Sequence, residues 1–493
     1  MSSLPIDLVS NFKQAVFNAD AAQLGQLLQS HPELKSQMNE PLFHFDAPAI
    51  VQAAGRGSRP LINVLIGAGA DINGRSRWWA GGFGVLDLAN PELAAYLIQR
   101  GATVDVHAAA RLAMPEKLRE LISAQPELVH ARGGDGQTPL HFAGTVEIAE
   151  YLLAQGADID ARDIDHESTA AQYLVKSHPE VVRFLIRRGC RTDILMAAAV
   201  GDAALAGKHL DADPETIRMR VNEQFFPKQN PHSGGTIYIW TLGANLSAHQ
   251  VTHKFGHQDV LRLLTDRSPA EVRLVNQFAV GDEAAVKALL ASRPGLMQSL
   301  SAADRRQICY TAQDNDAEIV RLMLEYQWPV DGGQAETPLH WAAFHGNAEM
   351  ARAILKHNPP LEGRDSTHQD TPLGWAIYGS ENGWHRETGD YAGVVELLLQ
   401  AGAKPLPRTG GAMRSRKCCG GSCDVAVADQ SRGLRGVHLN LAAVEPQLQG
   451  VVVDIGDEVQ VQQKLALRCP LALGAGQQVQ RAVRSQLVAA IQA

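Results

Sequence analysis

The chain has 493 residues, 45% of them hydrophobic and 20% charged, with a formal net charge of −8 at pH 7. These are globular values, and the acidic balance argues against a general nucleic-acid binder, whose phosphate contacts need a basic face. No run of about twenty apolar residues could span a bilayer, and Met1 to Asn11 lacks the basic-then-apolar pattern of a secretory signal. The six cysteines are too few and too scattered for a disulfide framework, so reduced thiols and a cytoplasmic chain are expected.

In chain order, repeated helical lines begin near Asn11, and the first partner helix closes at Leu27-Leu28 before Pro32. Then come Leu61-Ile-Asn-Val-Leu-Ile-Gly-Ala-Gly-Ala-Asp71, Glu92-Leu-Ala-Ala-Tyr-Leu-Ile-Gln-Arg-Gly-Ala102, Glu147-Ile-Ala-Glu-Tyr-Leu-Leu-Ala-Gln-Gly-Ala-Asp158, Glu180-Val-Val-Arg-Phe-Leu-Ile-Arg-Arg-Gly189 and Val394-Val-Glu-Leu-Leu-Leu-Gln-Ala-Gly-Ala403. Each reads as an amphipathic helix closed by a glycine that supplies the positive φ, after which Ala-Asp turns the chain. Degenerate copies lie at Asp259 to Leu264, Glu318 to Leu324 and Glu349 to Leu355. Another version leaves through Pro32, Pro126, Pro214 or Pro294, spaced 94, 88 and 80 residues, a pattern that points to repeats duplicated in blocks.

Thr138-Pro-Leu-His141 and Thr337-Pro-Leu-His340 stand in front of two such lines, and Thr371-Pro-Leu-Gly374 follows the second at 34 residues. Thr caps a helix N-terminus, Pro is tolerated in the first turn, and Leu begins the buried stripe. His141 and His340 are read as hydrogen-bonding inside the stack. This period and grammar resemble the ankyrin repeat, a turn and two short antiparallel helices stacked on their neighbours. The resemblance implies an all-α fold, an ankyrin-type α-solenoid of about twelve helix-turn-helix repeats with short β-hairpin-like loops over residues 1–405. It also implies a non-enzymatic scaffold that takes no cofactor and binds another protein, not nucleic acid or membrane, along the concave face of hairpin tips and first helices.

Catalytic motifs are absent: no phosphate loop ending in Lys-Ser or Lys-Thr, no dinucleotide fingerprint, no Gly-x-Ser-x-Gly elbow. A metal- or small-molecule-binding sensor is the alternative, built on His232, His249 and His253. The repeat register speaks against it, because it puts His257 in a turn and makes His249 and His253 semi-buried replacements for the Leu and second Ala of the first helix. Cys418-Cys419-Gly-Gly-Ser-Cys423 lacks a nearby fourth ligand for a closed zinc site.

Function is therefore expected in a surface. Trp341 and Trp375 occupy one repeat position and should sit about 10 Å apart on one side, given typical helix spacing. They either pack into the stack or anchor a partner. Ser380 to Asp390 lengthens the last repeat and carries Trp384 and His385; Asn222 to Gly235 is a second insertion, with Phe225, Phe226 and His232, followed by Trp240. Such aromatics either cover a neighbouring repeat or meet a partner. Trp78-Trp79 form a third aromatic tip. Residues 406–493 break the grammar and read as a poorly ordered tail, either a partner-binding extension or a reading-frame artefact.

Overall fold

The computed structural model describes residues 5–331 and 336–404, together with the backbone of Leu439–Asn440 and Val452–Val453, which pair antiparallel. The expectations for the tail after about residue 410, its cysteines included, otherwise lie outside the described residues. Two compact units divide the chain, the first ending at Arg267 and the second beginning at Ser268. Each is a succession of helix pairs, twelve in all among the described residues, so the fold is the expected all-α solenoid of helix-turn-helix repeats. The loops between pairs hold isolated antiparallel bridges, such as Arg162 to Thr169 and Arg220 to Ser247, and no longer ladder forms between residues 5 and 404 among the described residues.

The helices form where capping chemistry starts them. Asp20, Ser58, Asn90, Asp105, Asp193, Asp202 and Asp316 each accept a backbone N–H from the first turn that follows. Gly201, Gly256 and Gly346 end first helices in the left-handed conformation. Pro32, Pro126 and Pro214 each open a short 3-10 turn, and these turns bury Leu34, Val129 and Ile217. The proline exits are thus packing elements that seal the end of a second helix.

The repeated histidine acts as a strut. His141 Nδ1 accepts the Thr138 N–H at 3.1 Å while Nε2 donates to Ser168 O at 3.1 Å, in the loop leading to the next pair. His340 repeats this with Thr337 at 3.0 Å and Asp370 O at 3.2 Å. Burial holds both imidazoles neutral, His141 pushed down to about 4. Small residues line the same helices: Ala342 and Ala343 are fully buried among Leu339, Met350, Ile354 and Leu373.

Candidate functional site

In the second unit, helices Pro338–His345 and Pro372–Asn382 lie side by side and project Trp341 and Trp375, each four residues after its capping threonine. The rings meet edge to face with centroids 5.0 Å apart, half the expected separation. The 10 Å spacing belongs to helix axes; side chains as long as Trp close that gap by leaning across it. Both rings are half-buried, and Trp375 Nε1 donates to Asp365 Oδ2 at 3.0 Å. Phe344 and Tyr378 follow the tryptophans at i+3 and stack on one another at 6.4 Å, so one helix face carries an aromatic ladder.

The insertion after Asn382 folds back over this ladder. Trp384 stacks on Trp341 at 6.3 Å and meets Phe344 edge to face at 5.3 Å, yet it stays 66% exposed. His385 packs against His345 at 5.2 Å. Asp390 N–H donates to Gly346 O and the Tyr391 hydroxyl to Phe344 O, at 2.8 and 2.9 Å, which fixes the return of the loop. His345 Nε2 donates to Gln313 O at 2.8 Å, and burial pushes its pKa down to about 4, so the ring is neutral. Trp341, Trp375, Trp384 and His385 are thus brought together. Phe344, Tyr378 and His345 belong with them, and the i+3 spacing from each Trp was the available signal for the first two.

In the first unit three loop tips converge: residues 133–137, residues 162–168 and the insertion 222–236. Asp135 adopts a left-handed φ of 53° and is buried; its carbonyl accepts the N–H groups of Ile164 and Asp165 at 2.9 and 3.1 Å. Asp163 accepts the N–H groups of His166 and Ser168, both at 2.7 Å, and the Tyr173 hydroxyl at 2.9 Å. His166 Nδ1 lies 2.8 Å from Gly235 O, while Nε2 lies 3.7 Å from Asp165 Oδ2 and 3.9 Å from Asp135 Oδ2. Burial raises the Asp135 carboxyl well above the usual range; the charges of Asp165 and Asp163 add to this and His166 opposes it.

The insertion is anchored here. Glu167 accepts the N–H groups of Gln229 and Asn230 at 2.8 and 2.6 Å, and Tyr238 donates to the half-buried Asp193 at 3.0 Å. Phe226 packs on Tyr238 at 5.4 Å, covering it, and Phe225 is half-buried. Trp240 projects, 58% exposed. Trp78 and Trp79 are in contact at 6.1 Å, and Trp79 faces His232 at 6.3 Å. The Asp-Ile-Asp-His run at 163–166 was the one sequence signal for the polar cluster.

The histidines of the sensor alternative do not assemble. His249 is buried inside helix Ala248–Phe255, whereas His253 on the same helix and His232 in the insertion are exposed. His253 is therefore not semi-buried as its register position implied. His257 does lie in the turn, where it bonds Ala199 O at 3.0 Å. Among the described residues, the group of three or more metal-ligating side chains that comes together is Asp135, Asp165 and His166.

A single architecture explains the helix pairs, the threonine caps and the histidine struts, and the sequence matches the family profile "Ankyrin repeats (3 copies)" over residues 106–196, 272–370 and 308–408. The chain is an ankyrin-repeat protein. It is 25% identical over 370 residues to the ankyrin repeat domain-containing protein SAT10 of Stachybotrys chartarum, covering 66% of this chain and 17% of that one. It is 27% identical over 135 residues to the ankyrin repeat and SAM domain-containing protein 6 of Rattus norvegicus, covering 27% and 15%. The chain therefore spans less than a fifth of each of these relatives. The human ASB11 ankyrin repeat domain aligns at 16% identity with a TM-score of 0.24, over 61% of this chain and 99% of that one. No helix of the described residues is long and apolar enough to cross a membrane.

Proposed function

We propose that this protein is a non-enzymatic scaffold that binds another protein through the aromatic first-helix face and inserted loop of its last repeats. Ankyrin repeats are in general protein-interaction modules, which supplies the class. The observation that carries the site is Trp384: a 66% exposed indole stacked on half-buried Trp341 and set edge to face on half-buried Phe344, in a loop whose return is pinned to Gly346 and Phe344. Large aromatics held rigid at a surface lose little entropy on binding and act as anchors. Trp240 and Trp79, both exposed, are the secondary contacts on the first unit.

The test is affinity capture from the native lysate with the full chain and with Trp384→Ala. A protein held by the wild type and lost from an equally folded variant supports the site. Capture unchanged by Trp384→Ala, by Trp240→Ala and by Trp79→Ala, or no specific capture at all, sinks it.

A further inference from the structure

We propose that Asp135, Asp165 and His166 form a binding site for one divalent cation of the zinc class, which staples the insertion 222–236 to the two loop tips beneath it. The inference does not depend on the protein-binding reading. Its first support is the tautomer of His166. Nδ1 lies 2.8 Å from a backbone carbonyl, Gly235 O, which can only accept, so Nδ1 carries the hydrogen and Nε2 presents a lone pair. That lone pair faces Asp165 Oδ2 at 3.7 Å and Asp135 Oδ2 at 3.9 Å, and the three ligand atoms lie within 4.8 Å of one another. Three electron-rich atoms that converge repel one another, and a cation between them relieves that repulsion.

A proton on Nε2 would supply that charge, but it would draw the carboxylates in to about 2.7–2.9 Å, the length of a charge-assisted hydrogen bond. The observed gaps are about 1 Å longer and fit a larger ion. An imidazole oriented by a backbone carbonyl on its far nitrogen is also the usual support for a metal-bound histidine. One nitrogen and two carboxylate oxygens suit zinc or manganese better than calcium or magnesium, which prefer oxygen alone.

The second support is the burial of Asp135. It is 9% exposed; the buried Trp78 indole N–H is the neutral donor beside its carboxyl, and Oδ2 is left facing His166. A buried carboxylate costs free energy unless positive charge or hydrogen bonds satisfy it. Charge balance points the same way. Asp135 and Asp165 pair only with His166, Asp163 stands beside them, and no Lys or Arg forms an ion pair with any of the three among the described residues. Asp163 itself is already satisfied by two backbone N–H groups and Tyr173, so it is a bystander charge and not a ligand.

The site is also shaped by glycine. A Cβ at Gly234 would lie 2.9 Å from the His166 ring, and Gly235 has a φ of +78°. The Gly234 N–H donates to Asp165 Oδ1 at 3.1 Å. Asp165 and His166 thus each hold the insertion by its backbone while turning their remaining donor atoms toward Asp135, so a cation here would lock the loop that carries His232 against Trp79.

The experiment is calorimetric titration of the full chain, stripped with chelator, with ZnCl2, MnCl2, CaCl2 and MgCl2, followed by the visible spectrum of the CoCl2-loaded protein. One site is expected for Zn²⁺, with affinity falling at least about tenfold in Asp135→Asn and His166→Gln. A Cys418→Ser/Cys419→Ser/Cys423→Ser variant should keep the site, and so should His253→Ala. Circular dichroism checks that the variants fold, and hydrogen exchange at 229–236 should slow on adding zinc to wild type only. No saturable binding, or binding that survives both ligand substitutions, or binding lost in the cysteine variant, overturns the proposal.

Discussion

At the scale of single residues, glycine and tryptophan do opposite work in the last repeats. Gly379 sits in the helix Pro372–Asn382, where a Cβ would run into Phe344 O of the preceding first helix. Alanine normally stabilises a helix interior by about 0.5–1 kcal/mol over glycine. Here the close approach reverses the sign, and Gly379→Ala is expected to destabilise by about 1–3 kcal/mol in urea unfolding. Trp341 and Trp384 separate packing from binding. Trp384→Ala should leave the unfolding midpoint nearly unchanged, because most of its surface already faces water. Trp341→Ala removes four aromatic contacts, to Phe344, His345, Trp375 and Trp384, and should cost about 3 kcal/mol, read from the same denaturation curves.

At the scale of elements, the threonine-histidine pair joins one repeat to the next. His340 bridges its own helix start to Asp370 O, in the loop that opens the following helix. Replacing it with leucine leaves the Thr337 N–H and Asp370 O without this partner in a buried place. His340→Leu is therefore expected to destabilise by about 1–3 kcal/mol, with hydrogen exchange accelerating in both Pro338–His345 and Pro372–Asn382. Gly374 stands at the matching position of the next repeat, where a side chain would have to displace the Asp370 carboxylate from the Thr371 N–H it accepts.

At the scale of the molecule, buried titrating groups set how each unit responds to acid. In the second unit burial lowers His345, to about 4, and His340; at Asp365 burial raises the carboxyl, but the backbone N–H groups and the Trp375 indole that donate to it outweigh burial and lower it. A histidine with a depressed folded pKa binds a proton more readily once unfolded. Its contribution is fully present above the unfolded value of about 6.5 and is lost as pH falls toward about 4. Asp365 acts in the same direction at lower pH. In the first unit burial lowers His141 and His249 but raises Asp87 and Asp193, and the raised carboxyls favour the folded state on acidification. Peptides over 338–355 should thus lose more exchange protection between pH 7 and pH 5 than peptides over 85–99, after correction for intrinsic rates. His345→Gln should reduce that loss.

Helix starts, helix ends and the repeat period are written in neighbouring residues: Thr-Pro-Leu-His, the closing glycine and the proline exits act within a turn or two of chain, so the all-α repeat fold was legible without coordinates. The same locality explains why His257 could be placed in its turn. Contacts between repeats are a different matter. The tilt that brings Trp341 to 5.0 Å from Trp375, the fold-back of Trp384 and the exposure of His253 depend on how long side chains lean across neighbouring helices, which the period does not encode. The convergence of Asp135, Asp165 and His166 under Gly235 is the furthest case, for its members come from loops up to a hundred residues apart. Local rules select the element; only packing selects which side chains of distant elements share a space.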